Sequence, residues 1–302
     1  MPIKLPVLPL FAALLGLLGA CSGKPGAEPA RIVRLDREIA ADSVGPDARA
    51  WLQLVAADQS AAVSAFQPEV EARLGSLDSV EAVLGHALEA TGDTAARLFG
   101  VIIPYDQSVI TGPDDAVYIG LNHYLGADAP LYRGHFPDYV LARKALWRLP
   151  SDVMEARIAS KHPSGLKDDA PLLHHLLWQG AVLLNVLESM PDGTSEATVL
   201  AMSPEDYAWC REYEGRIWST LIERQLLYGT DPAVAQRLLY QQAPATLINA
   251  NAPVGTARFV ALQLAKAYID KTNSTPSSLL SPQFYTSNQS LITSQYSPAN
   301  AR

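Results

Sequence analysis

The chain opens on an apolar run from Leu5 to Ala20, behind a single positive residue, Lys4. At 1.5 Å per residue this run falls short of a hydrocarbon core of ~30 Å. It reads as the h-region of a signal peptide, residues 1–20. The next stretch, Ser22 to Arg31, carries Gly23, Pro25, Gly26 and Pro29 and reads as a flexible tether. Trp51, Leu52, Val55 and Ala56 then recur at helical spacing after Pro46-Asp47-Ala48. A second helix is predicted after Ser79, with Val80, Val83, Leu84, Ala87 and Leu88 on its apolar face.

The period changes at Leu98. Leu98 to Tyr105, Ser108 to Thr111 and Ala116 to Leu121 are short apolar runs. The last two are separated by Gly112-Pro113-Asp114-Asp115, strong turn chemistry, so a hairpin or meander is predicted. Beyond Pro137 the pattern is helical almost throughout. Predicted helices run from Tyr139 to Leu149, from Pro150-Ser151-Asp152, and from Pro171 toward Ser189. Ser203-Pro204-Glu205-Asp206 is a helix start, with a capping Ser, Pro in the first turn and acids at the positive end. That helix is predicted to reach Leu227. Shorter ones follow from Asp231-Pro232 to Gln241 and from Thr256 to Asp270. From Thr272 the chain is rich in Ser, Asn, Gln and Pro and reads as a polar, disordered tail, residues 272–302. Strands segregated from many helices give an α+β fold, mostly helical, with a small antiparallel sheet. One globular domain is expected over residues 32–271.

Composition sharpens this picture. Of 302 residues, 48% are apolar and 18% charged, with a net charge of −8. Such a chain has material for a core and is not intrinsically disordered. Its acidic balance argues against a nucleic-acid partner. Leu18-Gly19-Ala20-Cys21 resembles the bacterial lipobox, in which small residues precede a cysteine that is lipidated and becomes the new N-terminus. Lipidation at Cys21 implies a membrane attachment, and more than one acyl chain suffices for stable anchoring. Ser22 after that cysteine resembles the outer-membrane sorting pattern of Gram-negative lipoproteins, which implies an anchored body facing the periplasm. Cys210 is then the one remaining thiol, so no internal disulfide is expected.

Several segments in order resemble the GldB family of gliding-motility lipoproteins. They are Ile32-Val33-Arg34-Leu35-Asp36, Val117-Tyr118-Ile119-Gly120-Leu121-Asn122-His123-Tyr124-Leu125-Gly126, Phe136-Pro137-Asp138-Tyr139 and Leu176-Leu177-Trp178-Gln179-Gly180-Ala181. Trp209 with Glu214 and Trp218, Leu226-Leu227-Tyr228, and Pro253 to Val260 complete the set. The resemblance implies a fold like that of zinc-dependent metallopeptidases, in which an edge strand lies beside a helix bearing H-E-x-x-H. Under it, Ala116 to Leu121 stands for the edge strand and Asp152-Val153-Met154-Glu155-Ala156-Arg157-Ile158 for the zinc helix. Met154 and Ile158 then replace the two imidazoles, and Glu155 holds the place of the base. A thioether and an alkyl chain cannot replace imidazoles on zinc. Gln179 stands where relatives carry Glu, and it lacks the charge. No H-E-x-x-H exists in the chain. No metal and no cofactor are therefore expected.

The remaining chemistry is sparse. His174 and His175 are adjacent, about 100° apart on a helix, and read as packing histidines. His175 shares a face with Gln179. Glu214 sits in an apolar stripe of Tyr207, Cys210, Ile217 and Leu221 and needs a partner, such as Arg143 or Arg258. His123 either lines the cleft or caps a strand. Cleft candidates are thus His123, Gln179 and His175, and the candidate acids are Glu155 and Glu214. The expected role is a non-catalytic accessory lipoprotein whose peptidase-like cleft binds a protein or peptide of the envelope. The alternatives are an active hydrolase with another constellation, or a lipoprotein binding a small ligand.

Overall fold

The computed structural model describes residues 30–55, 60–103 and 107–298. The signal segment, Cys21, nearly all of the tether and the last four residues lie outside these.

Strand β1 (Ile32–Arg34) leads directly into α1 (Leu35–Ala40), α2 (Pro46–Val55), α3 (Ser60–Leu74) and α4 (Asp78–Ala90). Three strands follow, β2 (Arg97–Val101), β3 (Val109–Thr111) and β4 (Ala116–Gly120). The rest is helical: α5 (Asp138–Leu141), α6 (Leu149–Lys161), α7 (Leu172–Ser189), α8 (Glu196–Val199), α9 (Pro204–Glu212) and α10 (Glu214–Glu223). Then come α11 (Pro232–Ala235), α12 (Thr256–Thr272), α13 (Pro282–Tyr285) and α14 (Asn288–Ser294). The architecture is α+β and mostly helical.

The sheet is mixed, in the order β1-β2-β4-β3, and not purely antiparallel. β1 and β4 run parallel to β2, and only β3 is antiparallel, paired with β4. A parallel pair needs a long crossover, and α1 to α4 supply it between β1 and β2. Asp114 and Asp115 take positive φ values of 52° and 58° in the β3–β4 turn. The edge strand beside α6 is therefore β3, while Ala116–Gly120 lies inside the sheet.

Both faces of the sheet are covered, which explains the nearly continuous apolar strands. Phe99, Val101, Ala116 and Tyr118 face Trp51 and Leu35, with Trp51 and Tyr118 rings 4.8 Å apart. Leu98, Val117 and Ile119 face the main core with Leu84, Leu88, Leu149 and Val153. α6 thus packs between the sheet, α4 and α7.

The helix starts at Pro150 and Ser203-Pro204 fall where the sequence places them, and the Ser203 hydroxyl accepts the Asp206 N–H at 3.0 Å. α7 is buried along most of its length because α6, α12 and the C-terminal segment pack around it. At Gly180 it comes so close to α12 that an added Cβ would collide with the Ala261 carbonyl. The predicted Tyr139–Leu149 helix is instead the short α5, a loop and a 3-10 turn at Leu146–Arg148. The long helix after Ser203 is broken at Tyr213 into α9 and α10.

The stretch after Thr272 is not a loose tail. A 3-10 turn (Pro276–Leu280), α13 and α14 pack on α7 and α12, burying Leu279, Phe284 and Tyr285. The globular body therefore continues to Pro298, and residues 272–298 are part of it.

Candidate functional site

α6 and α12 both line one open cleft. α6 presents Asp152, Glu155, Ala156 and Ala159 to it, and α12 presents Gly255 just ahead of it and Arg258 in its first turn. Ser108 and Val109 of the β3 region form one rim, and Leu238, Leu239 and Tyr240 another. The last three belong to a five-residue π-helical turn, Gln236–Tyr240. The cleft has a volume of about 450 Å³.

Glu155 is fully engaged. Arg258 donates to both its oxygens at 2.6 Å, and the Gln179 amide donates to Oε1 at 2.9 Å. Burial pushes its carboxyl up. The Arg258 charge and these hydrogen bonds more than offset that, and it stays below the usual carboxylate range. A cation in the first turn of α12 has the wrong sign for the helix dipole. The pairing with Glu155 across the cleft offsets that penalty. A second pair lies beside it. Arg148 donates to Asp152 at 2.7 Å, and Tyr124 donates to the other Asp152 oxygen at 3.0 Å. Arg143 completes the wall.

The placement of the sequence candidates is uneven. Glu155 and Gln179 meet, as helices flanking one cleft require. Met154 and Ile158 do not face it. Both are buried on the other side of α6, beside a second cavity lined by Asp93, Arg157 and Lys161. Glu155 and Ala159, an i,i+4 pair, line the cleft beside Gln179, so Met154 and Ile158 do not take the cleft positions expected of them.

His123 is buried off the cleft, its Nε2 3.1 Å from the Ile103 carbonyl and its Nδ1 3.2 Å from Lys144 Nζ. His175 is half-buried and meets the Tyr240 ring edge-on, but does not line the cleft. Burial, and next His174, pull its pKa below 6.5. Glu214 is held by Arg211 at 2.9 Å and by the Tyr296 hydroxyl at 2.8 Å, not by Arg143 or Arg258. Cys210 is buried, and burial pushes its thiol up to about 12, the opposite of an activated nucleophile. The sequence reading missed the arginines as cleft residues. Its available signal was the unfavourable position of Arg258 at a helix start.

A zinc ion needs three or four nitrogen, sulfur or carboxylate donors converging at about 2 Å. Here the positions offer a carboxylate already bound by a guanidinium, a methyl group and an amide. These residues do not fit zinc. Among the described residues, no three His, Cys, Asp or Glu side chains group as a metal site.

Residues 45–298 match the sequence model of a family described as gliding motility protein GldB. The chain belongs to the GldB family. No curated protein and no solved structure matches it. The GldB match covers the cleft and the helices after Thr272 as one unit, and it makes the chain one of a family of lipoproteins named for gliding motility. Among the described residues no helix is long and apolar enough to cross a membrane.

Proposed function

We propose that this protein is a lipid-anchored, non-catalytic accessory component of the cell envelope that binds a peptide or protein segment in the Arg258–Glu155 cleft. One observation carries the reading. The acid on the cleft face of α6 is bound by the protein's own cation, Arg258, through both oxygens. A carboxylate so occupied neither holds a metal nor takes a proton from water. The cleft nevertheless stays open, and its rim continues into β3, the last strand of the sheet, which has a strand partner on one side only. Such an edge suits an extended peptide.

An antiparallel edge strand packed beside the helix that carries the cleft acid supports descent from a metallopeptidase-type fold. With Glu155 and Ala159 in the ligand register, that ancestry has lost its metal donors. Lipidation at Cys21 would place the body at the outer membrane on the periplasmic side, reached through the tether.

The test uses the full chain purified in detergent. The expected result is no chelator-sensitive cleavage of a peptide library and no stoichiometric zinc. Zinc at one equivalent together with chelator-sensitive cleavage overturns the reading. Radiolabelled palmitate is expected to enter the wild-type chain and not Cys21→Ser. Equal labelling of both removes the anchor.

A further inference from the structure

Among the described residues, three guanidinium groups and two carboxylates line the cleft. Arg258 is matched to Glu155 and Arg148 to Asp152. Arg143 is left without a carboxylate among the described residues. It is only 9% exposed. Its Nη1 donates to the Ala201 carbonyl at 2.6 Å, and its Nε is buried with no hydrogen-bond partner. The Nε atoms of Arg148 and Arg258 are buried and unpartnered too.

Unpaired donors on a buried cation are costly. Burial, then the Arg148 and Arg258 charges, push Arg143 down to about 9. A guanidinium does not give up its proton in practice, so the cost stays in the fold until a counter-charge arrives. The first turn of α6 and the start of α12 lie at the same cleft and add positive helix ends. This happens in a chain whose net charge is −8.

We infer that the cleft recognises a carboxylate of its peptide ligand at Arg143. The inference rests on the reading of the cleft as a peptide site and adds what it selects. Among the described residues the excess is a single positive charge, which one carboxylate neutralises and a doubly charged phosphate would overshoot. The planar fork of an arginine also matches a carboxylate through two parallel N–H donors. Arg143 lines the neighbouring cavity of about 630 Å³ as well, with Trp147, Tyr139 and three prolines on its walls. A bound carboxylate at Arg143 therefore leaves the adjoining residues of the ligand an apolar place to lie.

The experiment follows the fluorescence of Trp178 and Trp147, which line the two cavities. The full chain in detergent is titrated with alanine-rich hexapeptides. These carry a free or an amidated C-terminus, with one Glu or with Gln in its place; acetate and inorganic phosphate are run alongside. Peptides bearing a carboxylate are expected to bind, and the amidated Gln peptide to bind about tenfold or more weakly. The amidated Glu peptide and the free-terminus Gln peptide separate a side-chain carboxylate from a terminal one. Arg143→Gln is expected to erase the preference while leaving Tm unchanged or raised, and Arg143→Lys to restore part of it.

Equal binding of neutral and acidic peptides overturns the inference and leaves the cleft reading standing. No binding by any peptide overturns both. Acetate or phosphate binding as tightly as the peptides makes this a small-anion site and overturns the peptide source. A lowered Tm with unchanged preference in Arg143→Gln makes Arg143 a structural residue. If that variant does not fold, the wild-type comparison of acidic and neutral peptides still decides.

Discussion

The two long sides of α6 carry the same residue types and do opposite things with them. On one side Arg157 donates to Asp93 and to Asp115, and Lys161 donates to Asp93 as well. Burial raises the Asp93 carboxyl, but those two cations pull it below its ordinary value. Asp93, Asp115, Arg157 and Lys161 are all paired there, and the cavity beside them, about 270 Å³, is the smaller of the two. On the other side the same helix faces the cleft, where one guanidinium has no carboxylate among the described residues. A balanced cluster ties the helix to the loop before β2. The unbalanced one waits for a charge from outside. Residue type alone does not separate structure from recognition; the count of partners does.

Three changes test that contrast. The largest effect is expected for Asp93→Asn. Arg157 has a side chain 5% exposed and would keep only Asp115 as a counter-charge. Urea unfolding should show a loss of about 3–5 kcal/mol, with peptide binding in the remaining folded protein unaltered. A loss of binding with intact stability would reverse the roles of the two sides.

Glu155→Gln comes second. Arg258 loses its counter-charge, but the cleft admits water and Gln can still accept a hydrogen bond, so the expected loss is about 2 kcal/mol. Acidic peptides should then bind more tightly, because the cleft gains net positive charge. Weaker binding of acidic peptides would mean that Glu155 itself contacts the ligand.

The smallest effects lie in pH dependence. Asp93 and Glu155 both have folded values below their unfolded ones. The stability they contribute is complete above the unfolded carboxylate value near 4 and is lost as pH falls through their lower folded values. Thermal melts should therefore decline less between about pH 4 and pH 2 in Asp93→Asn than in wild type. His175 also has a lowered folded value, so its neutral form favours the fold above pH 6.5 and the benefit fades below. His175→Phe keeps the ring contact with Tyr240 and should flatten that slope. An unchanged slope would place the sensitivity elsewhere.

Helix starts were legible in the sequence because capping is local. Pro150, Pro171 and Ser203-Pro204 carry their signals within four residues. Strand order was not, because β1 finds β2 across four helices and β4 inserts between strands that precede it. α3 escaped because Pro68 interrupts the spacing of Val63, Phe66, Val70 and Leu74. The segment after Thr272 was misread because Leu279, Phe284 and Tyr285 are few among polar residues, yet each is buried by helices far earlier in the chain. Within the cleft, Glu155 and Gln179 were visible through a motif. Arg258 lies 103 residues from Glu155, and only the fold brings them together.

The first strand has a mechanical consequence. Any tension from the chain before Ile32 enters the body at β1, an outer strand. Three residues of β1 are paired in parallel with Leu98, Phe99 and Gly100. Ahead of them the Glu81 backbone carbonyl accepts the Ala30 N–H at 3.1 Å, and the Glu81 carboxylate accepts the Ile32 N–H at 2.9 Å. A pull along the strand loads these rungs together in shear. A pull across the sheet must first break the grip of Glu81, and then peels the rungs one at a time. The α4 helix, through that one glutamate, is the first brake on force arriving from the N-terminal side.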